Sequence, residues 1–218
     1  MMDIKFLKAY LETFDQDPEL FQEYIKGLED KMGIPGEFIG ASWDNFDLGF
    51  NPENKEEYDS IKAFGEVFDI EGKLDLFLMG NVGTGKTRLV IMAGKDLIKQ
   101  GLPVYFVNQA FLNRRIRDLR KAEGWDNSEQ AYRNFNVLKK IHVLIIDDLG
   151  KGNITPEIVE YTSDLIEERI HEGYVTFITT NFQLEELEAI FLPSTIDRIK
   201  GSSLNIVLTG ESYRTKGD

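Results

Sequence analysis

Five short, nearly continuous apolar runs are spaced along the chain: KLDLFLM (73–79), PVYFVN (103–108), HVLIID (142–147), YVTFITT (174–180) and SLNIVLT (203–209). Between them the apolar positions recur at helical spacing, which predicts helices over about 86–100, 109–121, 127–138, 155–171 and 183–200. Runs that are apolar on both faces and alternate with helices belong to a parallel sheet covered on both sides. The expected fold is therefore an α/β three-layer sandwich around a five-stranded parallel sheet. Ahead of it, Ile4, Leu7, Leu11 and Phe14 form one helical stripe, and Leu20, Phe21, Tyr24, Ile25 and Leu28 a second. Asp17 and Pro18 supply an N-cap and a first helical residue for the second stripe. Residues 1–33 read as a helical extension and 34–218 as the main domain. The extension either packs on that domain or offers a stripe to a partner.

Charge divides the chain the same way. The net charge is −13, yet residues 1–75 hold 19 Asp/Glu against 7 Lys/Arg, and residues 76–218 hold 19 against 18. The low pI thus describes the front end and says little about what the body binds. One stretch of the body is cationic: LNRRIRDLRK, 112–121. As a helix it puts Leu112, Ile116 and Leu119 on one face and Arg114, Arg117 and Lys121 on the other, with Arg115 and Arg120 at the flanks. Cysteine is absent, which excludes disulfides and cysteine-ligated zinc. With no secretory signal at its start and no apolar run of bilayer length, the chain is expected to be cytoplasmic, without a membrane partner.

The chemistry concentrates at the ends of the strands. GNVGTGKT (80–87) follows the first strand and opens a helix, the context that makes G-x-x-x-x-G-K-[ST] a phosphate-binding loop. Gly80, Gly83 and Gly85 let the backbone wrap phosphates, with Asn81, Val82, Thr84 and Arg88 completing the loop's surroundings. Lys86 supplies a cation and Thr87 a hydroxyl for Mg²⁺. VLIIDDLG (143–150) ends a buried strand in two carboxylates: Asp147 for the magnesium shell, Asp148 for the attacking water. Many such ATPases carry Glu at the second position, and the shorter Asp predicts slow hydrolysis. Asn181, closing FITTNF, is a candidate sensor of the γ-phosphate. Arg198 and Arg214 are late arginines of a kind that an oligomeric P-loop ATPase requires, one across a subunit boundary and one near its own nucleotide. His142 and His171 read as structural, and Trp43 and Trp125 as packing residues.

IPGEFIGASWDNFD, GNVGTGKT, LIIDDLG, TTNF, DRI and GESYR, in that order, resemble the DnaC/IstB group of AAA+ ATPases, which includes bacterial and phage helicase loaders. The likeness spans about residues 34–214. It implies ATP and Mg²⁺ as cofactors, Arg198 as a finger acting in trans, Arg214 as a second sensor, Asn181 as a first sensor, and WDNFD beside the nucleotide with Phe46 packed under the core. It also implies a homo-oligomer and a replicative helicase as partner; because the sequence ends soon after Arg214, the C-terminal lid is expected to be reduced or absent. The insertion that carries Arg114, Arg115, Arg117, Arg120 and Lys121 then faces single-stranded DNA and grips phosphates without reading sequence. The competing expectations are an IstB-like transposition helper that binds DNA and a transposase, a small-molecule kinase, and a non-hydrolysing adaptor.

Overall fold

The computed structural model describes residues 4–12, 17–66, 74–122 and 129–215. Its centre is a five-stranded sheet of β1 (Asp75–Gly80), β2 (Val104–Asn108), β3 (Val143–Asp147), β4 (Val175–Thr180) and β5 (Ser203–Leu208). All strands are parallel, in the order β2-β3-β4-β1-β5. Successive side chains on a strand point to opposite faces, so each strand feeds two cores. Leu76, Leu78, Val143, Ile145 and Phe177 enter one core; Phe77, Leu144, Ile146 and Ile178 enter the other.

The first core is covered by α4 (Lys86–Lys99), together with residues from α1 (Ile4–Glu12), α2 (Pro18–Lys31) and α3 (Lys55–Glu66). The second is covered by α5 (Gln109–Lys121), α6 (Glu129–Lys140), α7 (Pro156–Glu172), α8 (Leu184–Ile190) and α9 (Pro193–Ser202). Of the front-end stripes, Leu7 and Ile25 are buried in the first core, with Leu11, Phe21, Tyr24 and Leu28 packed against it; Met32, which follows α2, is buried there too. Much of the apolar surface described in the extension thus packs on the body, whereas Leu20 stays half exposed. Phe14 and Trp125 lie outside the described residues.

Two local results depart from the sequence pattern. The single helix expected over 183–200 is two helices broken at Phe191–Leu192. Pro193 is the cause: it occupies the first turn of α9 and forces the residue before it out of the helical region, so Leu192 is extended (φ −61°, ψ 138°). The long segment 34–54, which shows no helical or strand period, forms 3-10 turns at 36–38, 43–45, 48–50 and 52–54 before α3. After β5 the described chain holds one more such turn, Tyr213–Thr215.

A buried cation ties the helical layer to the sheet. Arg169 of α7 is fully buried and donates to the carbonyls of Leu138, Ile141 and Val175 and to the Thr176 hydroxyl. It thereby satisfies carbonyls at the C-terminal end of α6, which have no partners within their own helix. Asp75, at the start of β1, accepts from the Thr176 N–H at 2.6 Å and the Ser202 hydroxyl at 2.9 Å. Burial pushes its carboxyl up to about 6.

Candidate nucleotide site

The C-terminal ends of the strands open into a cavity of about 500 Å³, the position where open parallel sheets bind ligands. Its floor is the loop between β1 and α4. Gly83 and Gly85 both take positive φ, 84° and 95°. A Cβ on Gly83 would collide with Ser212, so the loop needs glycine there for conformation and for space. Val82, Gly83, Gly85, Lys86, Thr87 and Arg88 line the cavity. Gly80, Asn81 and Thr84 belong to the loop and do not line the cavity. The Lys86 ammonium donates to the Gly80 carbonyl at 2.8 Å and the Asn81 carbonyl at 2.6 Å, and the Thr84 hydroxyl donates to the Asn81 carbonyl at 2.9 Å. Burial lowers the Lys86 pKa to about 8, against the opposing pull of Asp148 and Asp147.

The two carboxylates at the end of β3 differ in surroundings. Asp147 is buried and accepts from the Thr87 hydroxyl at 2.8 Å and the Thr179 hydroxyl at 2.6 Å; burial raises its pKa. Asp148 is the one non-glycine residue with positive φ (58°) among the described residues. Its N–H is held by the Thr179 hydroxyl at 3.0 Å, so Thr179 braces both acids. The Asp148 carboxylate accepts from the Asn181 amide at 2.6 Å and from the Lys151 ammonium at 2.6 Å. Lys151 went unassigned in the sequence because a single lysine after DDLG carries no motif; the tight turn that brings it back onto Asp148 is closed by the Lys151 N–H on the Asp148 carbonyl.

The opposite wall comes from the 34–54 segment and the chain after β5. Phe46 lines the cavity, packs against the first core and lies 5.4 Å from both Tyr58 and Tyr213, ring centre to ring centre. Arg88 donates to the Asn45 carbonyl at 2.9 Å and sits over the Phe46 ring. Arg214 and Tyr213 line the same cavity. Trp43 packs edge-on against Tyr58 and donates to Asp96 at 2.5 Å. Neither histidine lines the cavity: His142 is buried against Tyr174, and His171 is exposed.

Arg198 and the cations of α5 lie elsewhere. Arg198, more than half exposed on α9, pairs with Glu167 of α7. On α5, Leu112, Ile116 and Leu119 are buried, Arg114, Arg117, Arg120 and Lys121 are exposed, and Arg115 lies half-buried over the Phe111 ring. The helix begins at the cavity. Its N-cap is Asn108, which ends β2 opposite Asp147, lines the cavity, and accepts from the Phe111 N–H at 2.8 Å. Behind that cap, buried Gln109 accepts from the Gly150 N–H and donates to Asn113 at 2.7 Å, joining α5 to the turn that follows Asp148.

A glycine-rich loop that follows β1 and opens α4, with the α4 threonine Thr87 bonded to Asp147 at the end of β3, defines a P-loop nucleotide-binding protein. The chain belongs to the family of IstB-like ATP binding proteins, whose model matches residues 42–218. It is 25% identical over 157 residues to the replicative helicase loader DnaC of Escherichia coli (strain K12), a match covering 71% of this chain and 62% of that protein. It is 26% identical over 178 residues to the ATP-binding protein of insertion sequence IS21 from Pseudomonas aeruginosa, covering 79% and 64%. The chain thus spans less than two thirds of the length of either relative. The crystal structure of the DnaC helicase loader superposes with a TM-score of 0.66 at 23% identity, covering 80% of this chain and 99% of that one. DnaI superposes at 0.64 with 21% identity, covering 85% and 98%.

Proposed function

We propose that the protein is a cytoplasmic, Mg²⁺-dependent ATPase that loads or remodels a replicative helicase on single-stranded DNA. The observation that carries this reading is the sharing of one residue, Asn108, between the nucleotide cavity and the N-terminus of the cationic helix α5. ATP chemistry at one end of β2 is thereby joined to a row of phosphate-gripping side chains.

The residues suit Mg-ATP. No cluster of three or more metal-binding side chains occurs among the described residues. Magnesium in nucleotide sites takes few protein ligands, and the hard oxygens of Thr87 and Asp147 are 2.8 Å apart at the cavity edge. When bound there, the ion supplies charge stabilisation to the β- and γ-phosphate oxygens. Lys86 turns from the Gly80 and Asn81 carbonyls to the phosphates, whose charge outcompetes neutral carbonyl acceptors. Gly85 and the first residues of α4 offer N–H groups without intrahelical partners. Asp148 orients and polarises the attacking water; its two present donors, Asn181 on one oxygen and Lys151 on the other, leave acceptor sites free for that water. Asn181, touching Asp148 directly, reports the state of the γ-phosphate. Arg214 adds a cation from the same chain, and Arg198 reaches a neighbouring copy's nucleotide in a homo-oligomer.

A second reading is a transposition helper that engages duplex DNA and a transposase, supported by the family match over 42–218 and the IS21 relative. The two separate on DNA preference. Titration of the full chain with Mg-ATP against single-stranded and duplex DNA of equal length is expected to show tighter single-strand binding. Co-purification of a replicative helicase with the ATP-bound chain is expected beside it. Preference for duplex, with no helicase retained, would move the assignment to the transposition helper.

A further inference from the structure

Two asparagines outside the sequence motifs are buried with both halves of their amides hydrogen-bonded. Asn51 and Asn54 are 1% and 5% exposed, in the 3-10 turns before α3. Each side-chain amide reads both backbone groups of one residue near the chain's other end. Asn51 donates to the Glu211 carbonyl and accepts from the Glu211 N–H, both at 3.0 Å. Asn54 donates to the Thr209 carbonyl at 2.8 Å and accepts from the Thr209 N–H at 2.9 Å. Asparagine is the shortest side chain with a donor and an acceptor in one plane, so each pair mimics a rung of a β-ladder. Gly210, between the two clasped residues, has φ 93°, and a Cβ there would run into Asn51 and Glu53. The clasp fixes residues 209–211 to within the slack of four hydrogen bonds.

What the clasp holds is one short step from the nucleotide. From Glu211 the chain runs through Ser212, which fills the space over Gly83, to Tyr213, whose N–H donates to the Gly83 carbonyl at 2.9 Å and whose hydroxyl donates to the Asp47 carbonyl at 2.9 Å. Phe50 packs tilted against the Tyr213 ring, 4.8 Å between ring centres. Arg214 comes next. It is exposed, lines the cavity and is close enough to Lys86 for its charge to bear on that ammonium. With its own side chain exposed, the direction in which its backbone presents it is set by the strap before it.

We propose that Asn51 and Asn54 are positioning residues of the nucleotide site, which clasp the 209–213 strap so that Arg214 is delivered to the phosphates of ATP. The proposal rests on the nucleotide reading of the cavity. An arginine held in place before the ligand arrives loses less side-chain and backbone freedom on binding, so in this proposal the clasp contributes to affinity through Arg214 and not through the strap's own contacts with Gly83. Releasing it and removing Arg214 should therefore cost the same once, and not twice.

The test is a double-mutant cycle on the affinity of the full chain for Mg-ATP, with thermal midpoints measured in parallel. Arg214→Ala is expected to weaken binding about tenfold, the size of one charge-assisted contact. Asn51→Ala and Asn54→Ala are each expected to weaken it severalfold in the parent and to have no further effect in the Arg214→Ala background. Should either alanine variant fail to fold, Tyr213→Phe, which removes the hydroxyl that bonds the Asp47 carbonyl and also meets Asn51, enters the same cycle with a smaller expected loss. Additive losses, or clasp variants that bind Mg-ATP as the parent does, would overturn the proposal. An Arg214→Ala variant with parental affinity would overturn it too, by removing the residue through which the clasp acts. A parent chain that binds no Mg-ATP would overturn the nucleotide reading instead, a result distinct from all of these.

Discussion

Lys86 holds its proton less firmly than an ordinary lysine, and that gives the phosphate loop a pH signature. Its pKa is lowered to about 8 by burial. Phosphates favour the ammonium form, so above pH 8 the free protein must take up a proton to bind ATP. The sign follows: affinity is flat below pH 8 and falls about tenfold per pH unit above it. Calorimetry at pH 8.5 in buffers of different ionisation enthalpy is expected to register proton uptake, and an affinity that stays level from pH 7 to 9.5 would contradict it. Asp148 gives the complementary prediction. Asp148→Asn keeps the shape and leaves Asp147 with Thr87, so Mg-ATP binding should change less than about threefold while hydrolysis falls about 10²-fold or more. Equal losses in binding and turnover would reverse the roles of the two acids. At this scale the sequence showed the residues that sit in a motif: Lys86, Thr87, Asp147 and Asp148 converge on one cavity. Lys151, Asn51 and Asn54 were invisible, because their partners lie across a turn or about 155 positions away, and no spacing rule encodes such a contact.

Elements were legible wherever one period ran unbroken. The five strands stand where their apolar runs put them: β1, β3 and β4 are buried along nearly their whole length, whereas the edge strand β5 exposes Asn205 and Val207. Helix 183–200 failed at Pro193, where the apolar spacing continues across a break that backbone sterics impose. The 34–54 segment has no period, and its structure is set by asparagine side chains and aromatic rings. For α5 the helical wheel placed both faces, and this permits a clean perturbation. Changing Arg114, Arg117 and Lys121 to Glu alters only exposed side chains and spares the half-buried Arg115 on Phe111. Fold and ATP binding should survive. If these cations hold phosphates of single-stranded DNA, the parent's affinity falls with salt at about −0.7 per contact, so about −2 for three contacts, and the variant loses both affinity and slope. A slope identical to the parent's would return α5 to the status of a solvated helix surface.

At the scale of the whole molecule the single chain holds a phosphate loop and a candidate finger that do not meet. Arg198 is absent from the cavity; Glu167 holds it against α7 and is itself fixed by the Thr195 hydroxyl at 2.9 Å. If Arg198 acts on a neighbour in a head-to-tail assembly, as proposed above, each interface joins one subunit's loop to the next subunit's finger. Arg198→Ala should then leave ATP binding by the monomer unchanged and remove assembly-dependent hydrolysis; Lys86→Ala should be inactive for want of nucleotide. Mixing the two inactive variants distinguishes the arrangements. In an equal mixture about a quarter of head-to-tail interfaces pair an intact Lys86 with an intact Arg198, so about a quarter of the parental rate should return. An arginine that serves only its own subunit predicts no recovery, because no single chain in the mixture has both residues. Absence of activity in mixtures shown by sedimentation to co-assemble would place Arg198 outside the trans-acting role, and leave its pairing with Glu167 as an anchor of α9 on α7.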